Sequence, residues 1–165
     1  MYVNIDPNTP KDFLIYITEN ILNGEPQGDI YTESGDENFF PITIEDDDIF
    51  YHGTSAFLGS IIKETGLCVP RISGMEPTHG GRGDIYSDYI YITNNKDQAK
   101  TWAKGPSSVD RSAPIVITIK GKDIIEAGCK AFVDTFYLTY PTTAILLKGC
   151  NCIKIDKILS ETEDE

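Results

Sequence analysis

A short apolar run, Phe50-Tyr51, ends in His52-Gly53-Thr54-Ser55 and passes at once into Ala56-Phe57-Leu58-Gly59-Ser60-Ile61-Ile62-Lys63-Glu64-Thr65-Gly66-Leu67. Phe57, Leu58, Ile61 and Ile62 recur at helical spacing on one face, and Gly66 supplies the stop. The stretch reads as strand, tight turn at His52-Gly53-Thr54, helix and glycine cap, so a chain containing it is neither all helix nor all strand. It also sets one of the chain's two histidines at a backbone corner. There a glycine leaves main-chain N–H and C=O open to a flat polar ligand.

Around this stretch the other signals are mostly short strands. Pro10–Leu22 carries apolar residues at 14, 17 and 21 and predicts an amphipathic helix ended by Asn23-Gly24. Residues 25–48, with nine acids, two prolines and two glycines, predict a linker or extended flap with one short strand near Phe39–Ile44. Leu67-Cys68-Val69-Pro70 reads as a short strand, 71–88 as a long irregular loop, and Tyr89–Thr93 as a strand with Tyr89 and Tyr91 on one face. Asn94 opens a short helix that presents Ala99, Trp102 and Ala103 on one side and stops at Gly105-Pro106. Ala113–Ile119 is a strand closed by a turn at Gly121-Lys122-Asp123, Ala127–Pro141 is irregular, and Thr143–Lys148 and Ile153–Leu159 are the last strands. With no regular β-α-β alternation and no repeat, the expected fold is α+β: a split, largely antiparallel sheet with short flanking helices. The expected divisions are an acidic helix and flap over 1–48, a compact domain over 49–159, and an acidic tail over 160–165.

Charge is segregated. Residues 1–48 hold one lysine against twelve acids, 49–159 hold thirteen basic against ten acidic residues, and Ser160–Glu165 holds four acids, which together give the net −12. From Lys11 to Lys63 no cation intervenes, which argues against nucleic acid binding by that segment, since phosphate neutralisation needs cations. The middle segment is balanced enough to take an anionic small ligand. No stretch is long and apolar enough to cross a membrane, and the N-terminus lacks the basic-then-apolar pattern of a signal peptide. A cytoplasmic protein, or one delivered into a host cytoplasm, is the expectation. Cys68, Cys129, Cys150 and Cys152 show no C-x-x-C and make a poor zinc set with two distant histidines, so they are expected to be reduced core or strand residues and no metal is expected.

Tyr51-His52-Gly53-Thr54, the helix ending in Gly66, the strand Ile90-Tyr91-Ile92-Thr93, and an aromatic eleven residues after Tyr91 together resemble the histidine-tyrosine-glutamate class of ADP-ribosyltransferases. This class includes diphtheria-toxin-like toxins and poly(ADP-ribose) polymerase catalytic domains. The resemblance covers about residues 50–159. It implies NAD as co-substrate, with His52 bonding the ribose and the Gly53 backbone clamping the nicotinamide carboxamide. Thr54 would support the turn, Tyr91 would stack under the ring, and Trp102 would stand on the opposite face where the family has a second tyrosine. A cationic pyridinium between two aromatic faces gains roughly 0.5–2 kcal/mol of cation–π energy. The family's third motif opens a late strand with Glu, but here Thr143 occupies the best-matching position, with Asp134 and Glu126 as the nearest acids. A hydroxyl can hold a ribose but cannot balance an oxocarbenium charge.

The resemblance implies mono-ADP-ribosyl transfer to a protein target rather than chain elongation. The alternative is a pseudo-enzyme that binds NAD or ADP-ribosylated ligands without turnover. RNA 2′-phosphotransferase chemistry, known on the same fold, needs an arginine cluster, and this chain has only Arg71, Arg82 and Arg111. Arg71 and Arg82 are candidate pyrophosphate contacts. The Gly80–Gly83 stretch is no phosphate cradle, since no strand of the right period precedes it.

Overall fold

The computed structural model describes residues 2–3, 39–70, 89–134 and 144–160. The strand expected at Phe50 is β3 (Ile49–Ser55), which pairs with β6 (Pro114–Lys120), and β6 in turn pairs with β10 (Lys157–Ser160) to make a three-stranded sheet. A five-stranded sheet runs in the order β1 (Tyr2–Val3), β2 (Phe39–Thr43), β7 (Lys130–Asp134), β8 (Ile145–Lys148), β5 (Tyr89–Ile92). Two short strands, β4 (Leu67–Cys68) and β9 (Cys152–Ile153), pair separately. All these pairings are antiparallel, so the α+β fold with a largely antiparallel sheet core stands. The two larger sheets meet at an isolated bridge, where Tyr51 and Thr93 exchange main-chain hydrogen bonds of 2.8 and 2.9 Å. Past that bridge the edges of β3 and β5 part, which splits the sheet.

Alternation along the strands builds two cores. Phe50, Ile90, Ile92, Ile117, Ile119, Ile145 and Leu147 lie in the larger one. Tyr89, Tyr91, Phe132, Ala144 and Leu146 lie on the other face of the five-stranded sheet, with Trp102 packed against them. Helix α1 (Ala56–Thr65) starts directly at the end of β3, capped by Ser55, whose Oγ accepts from the Leu58 N–H at 3.2 Å. Gly66 ends it with φ 80°. Helix α2 (Lys96–Asp110) is capped by Asn95, whose Oδ1 accepts from the Gln98 N–H at 3.0 Å, and buries Ala99 and Ala103 against β3. A Cβ on Gly53 would lie 1.9 Å from the Ala99 carbonyl oxygen and 2.7 Å from the Ala103 nitrogen, so the helix backbone rests on the bare Cα.

Several expectations are corrected. No tight turn interrupts His52-Gly53-Thr54: β3 is extended through Ser55, and Gly53 is required by the crossing helix rather than by a corner. Thr54, 2 % exposed and paired with Ile115, is a buried strand residue and supports no turn. Helix α2 continues through Gly105-Pro106 to Asp110 because its last turn is pinned from outside. Ser107 Oγ donates to the Ser112 carbonyl at 2.6 Å, and Ser55 Oγ donates to Asp110. Gly121-Lys122-Asp123 opens a third helix, α3 (Gly121–Glu126), and β7 lies inside the segment expected to be irregular. The expected last strand is broken into β9 and β10, since β9 pairs with β4 whereas β10 pairs with β6. The strand expected near Phe39–Ile44 is β2. The amphipathic helix expected at Pro10–Leu22 and the loop 71–88 lie outside the described residues.

The cysteines are not reduced. Cys68 and Cys152 face each other across β4 and β9 with Cα atoms 3.9 Å apart, and Cys129 and Cys150, on neighbouring turns 4.9 Å apart, form the second disulfide. Folding, not sequence spacing, brings these pairs together: they lie 84 and 21 residues apart.

Two measurements check the packing. Gly53→Ala is expected to lower unfolding stability by about 3 kcal/mol, the upper end of overpacking costs, because rigid backbone rather than a movable side chain occupies the space. Replacing Cys68 and Cys152 by Ser is expected to cost roughly 4–5 kcal/mol, and replacing Cys129 and Cys150 roughly 3 kcal/mol, following the loop lengths closed. Urea unfolding of each variant under non-reducing conditions reads both.

Candidate functional site

At the split, the direction of each main-chain group follows from antiparallel alternation. Tyr51 turns its N–H and C=O toward Thr93, and the Ala56 N–H reaches the Ala113 carbonyl on the β6 side at 2.7 Å. The register from Ile49 to Ser55 against Lys120 to Pro114 is unbroken. His52 and Thr54 therefore direct their main-chain groups to β6. Gly53 and Ser55 direct theirs to the edge that β5 has left. By the same alternation, the Tyr91 carbonyl faces β3 rather than β8. His52 meets it there, with Nδ1 2.7 Å from the Tyr91 oxygen.

That contact fixes the imidazole chemistry. A carbonyl oxygen only accepts, so Nδ1 carries the proton and the neutral ring keeps its Nε2 lone pair as an acceptor. Loss of hydration lowers the His52 pKa from its ordinary value, and the bond to Tyr91 partly offsets this. At neutral pH, His52 is an uncharged ring with one nitrogen committed to the opposite sheet and the other able to receive a hydroxyl hydrogen.

Tyr91 and Trp102 belong to one cluster. Tyr91 is 5 % exposed on β5, and the half-buried Trp102 packs against that cluster from α2. Trp102 is held there because Ala99 and Ala103 seat α2 on Gly53, one helical face away. The structure thus joins His52 to the Tyr91 main chain and brings Tyr91 and Trp102 into one cluster, while His52 and Thr54 lie with Phe50 on the face of β3 opposite the one on which α2 crosses Gly53. Thr143, Arg71 and Arg82 lie outside the described residues. Asp134 ends β7, and Glu126 sits on the exposed end of α3, where its carboxylate is 4.0 Å from the Lys122 ammonium.

A polar network missed in the sequence fixes the helix ends beside the split. Ser55 Oγ donates to Asp110 Oδ2, Asp110 Oδ1 accepts from the Ser112 N–H at 2.9 Å and hydroxyl at 2.6 Å, and Ser112 Oγ accepts from the Phe57 N–H at 3.0 Å. These bonds, that of the Ser112 side chain foremost and then Ser55, hold the Asp110 carboxyl below the usual carboxylate range. The signal in the sequence was Ser55, a helix-capping residue, but its partner lies 55 residues away. No protein-family model matches this chain, and no curated protein matches it.

The sign of the His52 effect gives a pH test. Its folded pKa is depressed, so between that value and about 6.5 the unfolded chain binds the extra proton and stability rises with pH. The contribution is complete above about pH 6.5 and is lost on acidification through the folded pKa. His52→Gln is expected to flatten the stability profile from neutral pH down toward pH 5, as read by urea midpoints. The Asp110 contribution is lost only in the more acidic range where its own depressed pKa lies.

Proposed function

We propose that this chain is an NAD-dependent mono-ADP-ribosyltransferase that moves ADP-ribose onto a protein side chain and releases nicotinamide. The observation that carries the proposal is the join at the split: His52 bonded to the Tyr91 carbonyl, with Gly53 main-chain groups directed to the same edge of β3. A carboxamide offers one donor pair and one acceptor, and the N–H and C=O of Gly53 complement it. His52 Nε2 would accept from a ribose hydroxyl. Trp102, the more exposed of the two aromatic residues, would cover one face of the ring, and Tyr91 would support the other.

In the transfer, the bond between ribose C1′ and the nicotinamide nitrogen breaks, and nicotinamide leaves with the electron pair as a neutral base. The acceptor side chain then bonds C1′ and gives its proton to solvent. The chain's part is to hold leaving group and ribose apart and in line, which is worth more to the rate than tight ground-state binding. Tyr140–Leu147 contains no carboxylate, which favours single transfer over elongation. It also supports a second reading, binding of NAD or ADP-ribosylated ligands without turnover. Two disulfides suit an oxidising milieu better than the cytoplasm expected from the sequence, so export or lumenal residence forms part of the proposal. Among the described residues no helix is long and apolar enough to cross a membrane.

Trp102 is the single tryptophan and reports on the site directly. NAD is expected to quench its fluorescence and raise the melting temperature, and His52→Gln is expected to weaken both responses about tenfold, the value of roughly one charge-free hydrogen bond in a dry site. Nicotinamide release in the presence of a protein extract marks transfer; binding without release selects the second reading. Neither quenching nor thermal shift at millimolar NAD removes both.

A further inference from the structure

Cys150-Asn151-Cys152 holds one sulfur of each disulfide, and the Asn151 between them is exposed at a bend. Two peptide steps keep the Cys150 and Cys152 Cα atoms within about 7 Å of each other, whatever the rest of the chain does. A modest further bend brings that separation into the range a disulfide spans. A third pairing, Cys150 with Cys152, is therefore within reach once Cys152 is released from Cys68.

The surroundings of the sulfurs decide where a reductant enters. Cys150 is 7 % exposed, whereas Cys68 and Cys152 are half-buried on strands of two residues. Cys68 Sγ lies 3.5 Å from the Gly66 carbonyl oxygen and 3.7 Å from that of Thr65. Carbonyl oxygens accept a thiol proton and repel a thiolate, so Cys68 is favoured as a thiol and Cys152 is the better leaving group. Once that bond opens, β4 and β9 are too short to stay paired by their main chains alone, and the Cys152 sulfur is free to turn toward Cys150.

We propose that Cys150 and Cys152 form a thiol–disulfide relay that passes an attack on Cys68–Cys152 on to Cys129–Cys150. A low-molecular-weight thiolate attacks Cys68 Sγ, forms a mixed disulfide there and expels Cys152 as a thiolate. The Cys152 thiolate attacks Cys150 Sγ: the Cys150–Cys152 bond forms, the Cys129–Cys150 bond breaks, and Cys129 leaves with the electron pair and takes a proton from solvent. The number of disulfides is unchanged, and one external thiol has been exchanged for the Cys129 thiol. The product frees β4 from β9 and the turn before β7 from the turn after β8, so a reductant that meets one half-buried disulfide loosens both ties. None of these steps uses the His52 site, so the relay and the transferase reading are tested apart.

The test uses the full chain, oxidised and folded: the parent with one equivalent of reduced glutathione, and Cys68→Ser and Cys152→Ser with no added thiol. Each is incubated at about pH 8, where thiolates form, then quenched in acid, alkylated with a maleimide and digested without reduction. Trypsin separates residues 123–130, which hold Cys129, from 149–154, which hold Cys150 and Cys152. In Cys68→Ser the Cys152 thiol is permanently released, so peptide 149–154 is expected alone with an internal disulfide and the label on Cys129. Cys152→Ser leaves the odd thiol at Cys68 and is expected to carry the label there, with 123–130 still joined to 149–154. Label on Cys129 is expected to be about tenfold or more higher in Cys68→Ser, the advantage of a tethered neighbour over a distant thiol. The parent is expected to gain glutathione on Cys68 and the label on Cys129. Label on Cys152 instead of Cys129, in the parent and in Cys68→Ser, overturns the proposal and leaves two independent structural ties. Equal labelling of Cys129 in the two variants overturns it too, because exchange then runs through unfolded chains. The parent decides alone if Cys68→Ser does not fold.

Discussion

The backbone of α2 lies on the bare Cα of Gly53, with no room for a methyl group between them. That contact decides where the rest of the site can be. A helix this close to β3 brings Trp102 to the aromatic face of the neighbouring sheet, because residues 99 and 103 point to Gly53 and 102 lies on the flank between the two sheets. The same approach keeps β3 extended to Ser55, so the main-chain groups of Gly53 stay directed at the split instead of being spent in a turn. At the far end the Ser55–Asp110 bond ties the C-terminus of the helix to the strand it crosses. The helix is thereby held at its centre by shape and at its end by a charged hydrogen bond.

His52 then does for the split what a ladder would do elsewhere. Where β3 and β5 stop exchanging main-chain bonds after Tyr51 and Thr93, the imidazole reaches across to the Tyr91 carbonyl. A buried carbonyl left without a donor costs free energy, so the ring satisfies an acceptor that the departing strand abandoned. The bond also sets the tautomer, and a side chain that joins two sheets is in consequence one whose second nitrogen has a fixed direction and a fixed role. The bond that closes the split is the same one that leaves Nε2 as the acceptor of the ring.

Much of this was legible in local pattern. The strands at 49–55, 89–92 and 114–120 and the helices after Ser55 and Asn95 follow from period and capping residues that act over a few positions. The misses share one cause. Pro106 ends a helix locally, yet α2 runs past it because Ser55 and Ser112 hold its last turn. The residues of β7, Lys130–Asp134, look irregular alone and become a strand between β2 and β8. Gly53 was singled out for the right strand and the wrong reason, since a glycine can mark a turn or a close approach, and only the position of Ala99 tells which. Of the candidate site, His52, Gly53, Tyr91 and Trp102 could be named from motif spacing, whereas the Ser55–Asp110 bond beside it joins residues 55 positions apart that no single segment contains.

The cysteines show how far that non-local dependence goes. Strands of two residues, such as β4 and β9, form too few main-chain bonds to persist by themselves, and the cross-strand disulfide supplies the closure that their length cannot. Its partner disulfide joins the turn before β7 to the turn after β8, which are the ends of two strands in the aromatic face. Cys150 and Cys152 flank a single residue, so one short segment is anchored in two directions: toward β4, where α1 ends, and toward the sheet that carries Tyr91. A split sheet joined by one bridge has little cooperative backbone bonding between its halves. Covalent ties on both sides of Asn151 fix that segment to β4 and to the turn before β7, while among the described residues the facing edges of β3 and β5 share the bridge at Tyr51 and Thr93.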